Sequence, residues 1–154
     1  VEAVTRDFFA TYRTIFEQVE KLITGLAGEE ERLFTQRLFN RLLFLIFLER
    51  KGWLTFDGRS DYLRALWEAH RGAVEAGDDD NFYRDRLRLL FFSGLNTPNE
   101  VDVVGANRHG FLQQRIGHAP YLNGGLFEED AADRNPAVTV PDRAIELKRI
   151  DRLG

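Results

Sequence analysis

The stretch from Arg32 to Leu54, RLFTQRLFNRLLFLIFLERKGWL, carries the strongest apolar pattern in the chain. Leu33, Phe34, Leu38, Phe39, Leu42 and Leu43 recur at the spacing that lines one helical face. From Leu42 to Leu48 every residue is apolar. A helix that is apolar all round leaves no face for water, so the pattern predicts a buried central helix over about residues 30–51. Its stop signal is Glu49-Arg50-Lys51-Gly52-Trp53, with basic side chains beside the last carbonyls and then a glycine free to turn left-handed. With Gly52 in that role, Trp53 is expected to fold back on Leu48 and be largely buried.

The flanking segments follow the same logic. A first helix from about Thr5 to Leu26 carries an apolar stripe from Phe8 through Tyr12, Ile15, Phe16 and Val19 to Ile23. Gly25 and Gly28 end it, and Glu29, Glu30 and Glu31 fall in the first turn of the central helix, where acids are favoured. The connection is short, which predicts antiparallel neighbours. Ser60 or Asp61 caps a third helix bearing Leu63, Leu66, Trp67 and Val74, with Gly72 weakening its far end. Gly77 to Asn81 reads as a loop ending in an N-cap, and a fourth helix runs from Phe82 to about Leu95. Residues 99–141 show no helical period and hold most of the Gly, Asn and Pro punctuation, so a long irregular segment is expected there. Val101–Val104 and Val138–Val140 suit short strands or extended runs, and Pro141-Asp142 opens a last short helix with Ile145, Leu147 and Ile150. The fold class is mainly α: a bundle of about four to five helices around the central one.

Composition narrows the chemistry more than the fold. The 154 residues suit one domain, and 13 Phe, 4 Tyr and 2 Trp supply its core. With no Cys, disulfides, thiolate metal sites and cysteine nucleophiles are excluded. His70, His109 and His118 are too scattered to suggest a metal site. No apolar run approaches the roughly 20 residues of a membrane span and no signal peptide opens the chain, so no membrane contact and a cytoplasmic location are expected. The chain starts at Val1 and contains no Met, which points to a piece of a longer polypeptide. A net charge of −4 argues against a simple nucleic-acid-binding domain. The basic charge is nonetheless concentrated: residues 32–51 carry Arg32, Arg37, Arg41, Arg50 and Lys51 against Glu49 alone.

Apparent motifs dissolve on inspection. Pro141-Asp142 with Glu146-Leu147-Lys148 has the letters of a nuclease metal site, but three intervening residues cannot bring an Asp and a Glu from neighbouring strands together; a capped helix start fits better. Asn135-Pro136-Ala137-Val138 lacks the second proline and the aromatic of the adenine-methyltransferase tetrapeptide. A calcium loop starting at Asp78 would need a glutamate at Leu89. The glycines around Asn123 do not have dinucleotide-binding spacing. No catalytic residue and no metal ligand is assigned.

Three stretches together resemble a known family: LFTQRLFNRLLFLIFLERKGWL (33–54), FYRDRLRLLFFSGLNTP (82–98) and APYLNGGLFEED (119–130). In that order and approximate spacing they are similar to the helical region upstream of the catalytic domain in large bacterial adenine-specific DNA methyltransferases, namely type IIG restriction-modification enzymes and phage-defence methyltransferases. The run Pro120-Tyr121-Leu122-Asn123-Gly124-Gly125-Leu126-Phe127 is its most specific part. The resemblance implies a non-catalytic spacer or DNA-positioning domain whose partners are the methyltransferase domain of the parent polypeptide and, through it or directly, double-stranded DNA. It also implies that S-adenosylmethionine belongs to the parent and that this chain holds no cofactor. Arg37 and Arg41, one helical turn apart with Gln36 and Asn40 beside them, are the candidates for DNA contact. Pro120, Tyr121, Asn123, Gly124, Gly125 and Phe127 are expected to form an ordered interdomain loop, pinned by Tyr121 and Phe127 and turned by glycines at positive φ. The competing expectation is an interdomain or protein–protein interaction module that never touches DNA, with the two arginines spent on Glu29–Glu31 or on acids of the first helix.

Overall fold

The computed structural model describes residues 2–97, 108–122 and 124–146. The central helix forms as its pattern requires: α2, Glu29–Arg50, follows α1, Glu2–Leu22. Phe34, Leu38, Phe39, Leu42, Leu45 and Leu48 of α2 are buried, and Ile15, Val19 and Ile23 from α1 and the residue after it join them. Phe39 meets Tyr12 edge-on and Phe16 at a tilt, at ring separations of 5.3 Å each, which fixes how the two helices meet. α3, Tyr62–Glu75, is placed on α2 by a side chain of the latter: Glu49 Oε1 accepts the Leu63 N–H at 2.8 Å, satisfying an early α3 amide.

Burial of α2 is not complete around its circumference. α1, α3, the 3₁₀ turn Gly125–Phe127 and the short helix near residue 130 contact it. These leave an outward stripe of Leu33, Gln36, Asn40 and Phe47 exposed, with Leu43 half-buried. The apolar run therefore overstates burial, because the pattern shows which residues tolerate the interior but not how many neighbours arrive to cover them.

The cap at Gly52 has the expected geometry and the wrong consequence. Gly52 has φ 75°, its N–H reaches Glu49 O at 2.9 Å, and the Trp53 N–H reaches Leu48 O at 3.1 Å. Yet Trp53 is 53% exposed, and Leu54 is the fully buried residue. The motif is closed by backbone bonds alone, and the chain leaves it with alternate side chains on opposite sides, so Leu54 takes the inward position.

The fourth helical region starts where its cap predicts, since Asn81 accepts the Arg84 N–H at 2.7 Å. It is wound as two π-helical segments, Phe82–Leu87 and Leu89–Leu95. The span expected to be irregular contains two helices among its described residues: α4, Arg108–Ile116, and α5, Ala131–Arg134. Among the described side chains of α4, Leu112 and Ile116 are the apolar ones that pack on the core, too few positions to register as a period. Thr139 makes a single antiparallel bridge with Thr24, and no strand is present among the described residues. After Pro141 the chain makes a 3₁₀ turn, Asp142–Ala144, and buries Ile145; Leu147, Ile150 and the Val101–Val104 run lie outside the described residues. Among the described residues no helix is long and apolar enough to cross a membrane.

Candidate functional site

The two arginines singled out on α2 have different fates. Arg41 is 2% exposed. Its Nε donates to Leu126 O at 2.8 Å, one Nη2 hydrogen bond goes to Glu128 O at 3.0 Å, and Nη1 and Nη2 grip the two oxygens of Asp133 at 3.1 and 3.2 Å. The guanidinium also lies over the rings of Phe92 and Phe91, 5.0 and 5.5 Å from their centroids. A planar fork of five donors suits this site, where carboxylate and carbonyl oxygens converge from one segment. Arg41 is thus turned into the protein. Arg37, one turn earlier, is half-exposed and forms an ion pair with Asp130. Neither arginine pairs with Glu29–Glu31 or with acids of α1: their partners lie in the segment after the Asn-Gly-Gly run. Gln36 and Asn40 are exposed on the outer side of α2.

That segment is closed locally as well. Asp130 accepts the Asp133 N–H at 2.9 Å and Asp133 Oδ2 accepts the Asp130 N–H at 3.1 Å, a reciprocal box that starts α5. Asp133 therefore serves the helix start and the buried arginine together. The spacing Asp130-Ala131-Ala132-Asp133 was the available sequence signal for it. Phe127 is buried between Phe91 and Phe44, at ring separations of 5.6 and 5.9 Å. Tyr121 is 44% exposed and anchors nothing; the entry to the loop is held by the Leu122 N–H bond to Leu95 O at 2.8 Å, with Pro120 half-buried before it. Gly124 has φ −169°, and neither it nor Gly125 adopts positive φ. The expected left-handed turn is replaced by the right-handed 3₁₀ turn through Phe127, which asks nothing special of its glycines. Asn123 lies outside the described residues.

A second buried polar cluster had no motif to announce it. His70 is fully buried, with Nδ1 2.8 Å from Asp80 Oδ2 and Nε2 2.8 Å from Asp142 Oδ2. Each ring nitrogen therefore has a carboxylate oxygen within hydrogen-bond distance, one from either side of the imidazole. Asp80 also takes Arg86 Nε at 3.1 Å and Arg115 Nη1 at 2.7 Å, and Asp142 Oδ1 accepts the Phe82 N–H at 2.9 Å. Burial pushes the Asp80 carboxyl upward, but the His70 hydrogen bond and the Arg86 charge outweigh it and hold the group below its usual range. The cluster ties α3, the π-helical region, α4 and the turn after Pro141 together. Its groups are bonded to one another, which makes it a structural joint between these elements.

No family model matches the chain, and no solved structure matches it. It is similar to a protein of Methanocaldococcus jannaschii named "Putative type II restriction enzyme and methyltransferase RM.MjaORFECS2P", with 30% identity over 116 residues. The match takes in 75% of this chain and 9% of that protein, so the chain spans a small part of the relative's length. The similarity relates this helical domain to restriction-modification proteins.

Proposed function

We propose that the chain is a non-catalytic helical spacer of a site-specific adenine-N6 DNA methyltransferase, of the type IIG restriction-modification or phage-defence kind. The observation that carries this reading is the 30% identity to a protein named as a restriction enzyme and methyltransferase, of which the chain matches only 9%. S-adenosylmethionine binding and methyl transfer then belong to other parts of the polypeptide. The contribution of this domain is positional: α2 holds residues 126–133 through Arg41 and Arg37, so the segment leaves the bundle on a fixed path.

Between direct DNA contact and pure interdomain coupling, the occupied guanidinium groups favour coupling. Arg41 is buried and Arg37 has a carboxylate partner, which leaves Gln36 and Asn40 as the exposed candidates on that helix. The test has two arms. Calorimetric titration of the chain with S-adenosylmethionine is expected to show no saturable binding, and micromolar binding would overturn the non-catalytic reading. In the longer polypeptide, Gln36→Ala with Arg37→Glu and Asn40→Ala is expected to leave affinity for non-specific DNA and its salt dependence unchanged. A salt slope reduced by about one per lost phosphate contact would instead assign α2 to DNA.

A further inference from the structure

A cleft of about 400 Å³ opens between the start of the π-helical region and the chain from Ala132 to Pro141. Its volume is that of a small-molecule site. Tyr83, Arg84, Arg88 and Asn135 line it together with the acid Asp133, and Pro136 and Val138 contribute apolar wall.

Tyr83 is the telling residue. It is 5% exposed, its ring stacks on Phe34 at 6.0 Å, and it is one of the residues that line the cleft. No hydrogen bond holds its hydroxyl among the described residues, and the hydroxyl is not among the enclosed polar atoms left without a partner, so it stays open to solvent where Tyr83 lines the cleft. Burial, with Asp133 nearby, pushes the phenol well above its ordinary value, so it stays protonated and is a donor.

On the same wall Arg88 donates through Nη2 to Asp133 O at 3.0 Å and lies 3.5 Å from Glu129, while its buried Nε has no partner. Arg84 is paired with Asp85 at 2.7 Å and keeps a half-exposed guanidinium. Asn135 spends its Oδ1 on the Ala137 N–H, which leaves its amide N–H₂ to donate. Of the acids in reach, Asp133 is paired with Arg41, Asp85 and Asp79 hold Arg84, and Glu129 competes for Arg88. Side chains carrying donors, two of them cationic, thus line one concavity with a partly apolar wall.

We infer that this cleft binds a phosphate group, with the Tyr83 hydroxyl and the Arg88 guanidinium as its principal donors and Arg84 and Asn135 in support. Carboxylates are the lesser fit, since two oxygens use fewer of these donors than a phosphate does. The phosphate can come from a mononucleotide or from a nucleic-acid backbone, and the site does not depend on the spacer reading.

Tyr83→Phe is the decisive variant because it deletes only an unpartnered hydroxyl and leaves the ring on Phe34. It is expected to preserve or raise thermal stability while weakening ligand binding roughly tenfold or more, the usual consequence of removing a hydrogen bond to a charged group. Glu129→Gln is expected to tighten binding by freeing Arg88. Calorimetry and amide chemical-shift perturbation on the chain would use orthophosphate, dAMP and a short DNA duplex as probes. Saturable binding of orthophosphate or dAMP that falls in Tyr83→Phe supports a small-ligand site. Binding of the duplex alone with the same dependence supports a backbone phosphate. No binding of any probe, or binding that Tyr83→Phe and Arg88→Gln leave unchanged, overturns the assignment.

Discussion

Replacing Arg41 by Met tests the central packing claim most directly. The substitution keeps an apolar stem of similar reach and removes the guanidinium. Four hydrogen bonds disappear, to Leu126 O, Glu128 O and both oxygens of Asp133. The Asp133 side chain is fully buried and then keeps the Asp130 N–H on its Oδ2 as its remaining bond, so a charge is left in the interior with almost no compensation. Breaking a buried pair on one side costs about 3–5 kcal/mol. At roughly 2–4 °C per kcal/mol for a domain of this size, the melting temperature should fall by about 6–20 °C. The control is Arg37→Ala, whose partner Asp130 is 40% exposed and whose own side chain is 37% exposed; such pairs are worth about 0–1 kcal/mol. Urea denaturation followed by tryptophan fluorescence and far-ultraviolet circular dichroism gives both values. Restoring neutrality with Asp133→Leu in the Arg41→Met background should recover only part of the loss, because Asp133 also closes the capping box of α5. A loss below about 1 kcal/mol for Arg41→Met, or one equal to that of Arg37→Ala, would refute the account of Arg41 as the buried clamp.

Three further outcomes follow from other parts of the fold. Gly25→Ala should cost about 2 kcal/mol or more, because Gly25 has φ 97° and an added Cβ would lie 2.1 Å from Ala137 O; Gly124→Ala, where nothing lies within 4 Å, should stay within about 0.5 kcal/mol in the same urea titration. Trp53→Ala should cost less than about 1 kcal/mol, since the side chain is 53% exposed, and a larger loss by thermal melt would mean that it packs where the structure leaves it in water. The Asp80 carboxyl is held below its ordinary value of 3.8, so its contribution is complete above that pH and is lost as the pH falls through the lower folded value. Stability measured against pH should therefore show an acid limb below about pH 4 that Asp80→Asn flattens, and an unchanged limb in that variant would assign acid unfolding to other carboxylates.

The parts of this fold that were legible along the chain are those governed by residues within a few positions of each other. The central helix, its glycine stop and the Asn81 cap each depend on a spacing of one to five residues, and each is present. Arg37 and Arg41 show where such local information ends. Written along the chain they are equivalent, one turn apart on the same helix. Four residues at 3.6 per turn also rotate the side chain by about 40°, and that angle decides which of the two meets the segment arriving from residues 126–133. One guanidinium is enclosed by carbonyls and a carboxylate 92 positions away, and the other stays at the surface. Trp53 and Leu54 divide in the same way, because nothing local says which of two adjacent apolar side chains will face the core. The His70 joint is the extreme case, assembled from residues 70, 80, 86, 115 and 142, none of which forms a motif with its sequence neighbours. Spacing encodes what a short stretch of backbone can satisfy by itself. Burial of a charge or an aromatic ring depends on which distant surface closes over it, and that is settled only when the packed elements share one interior.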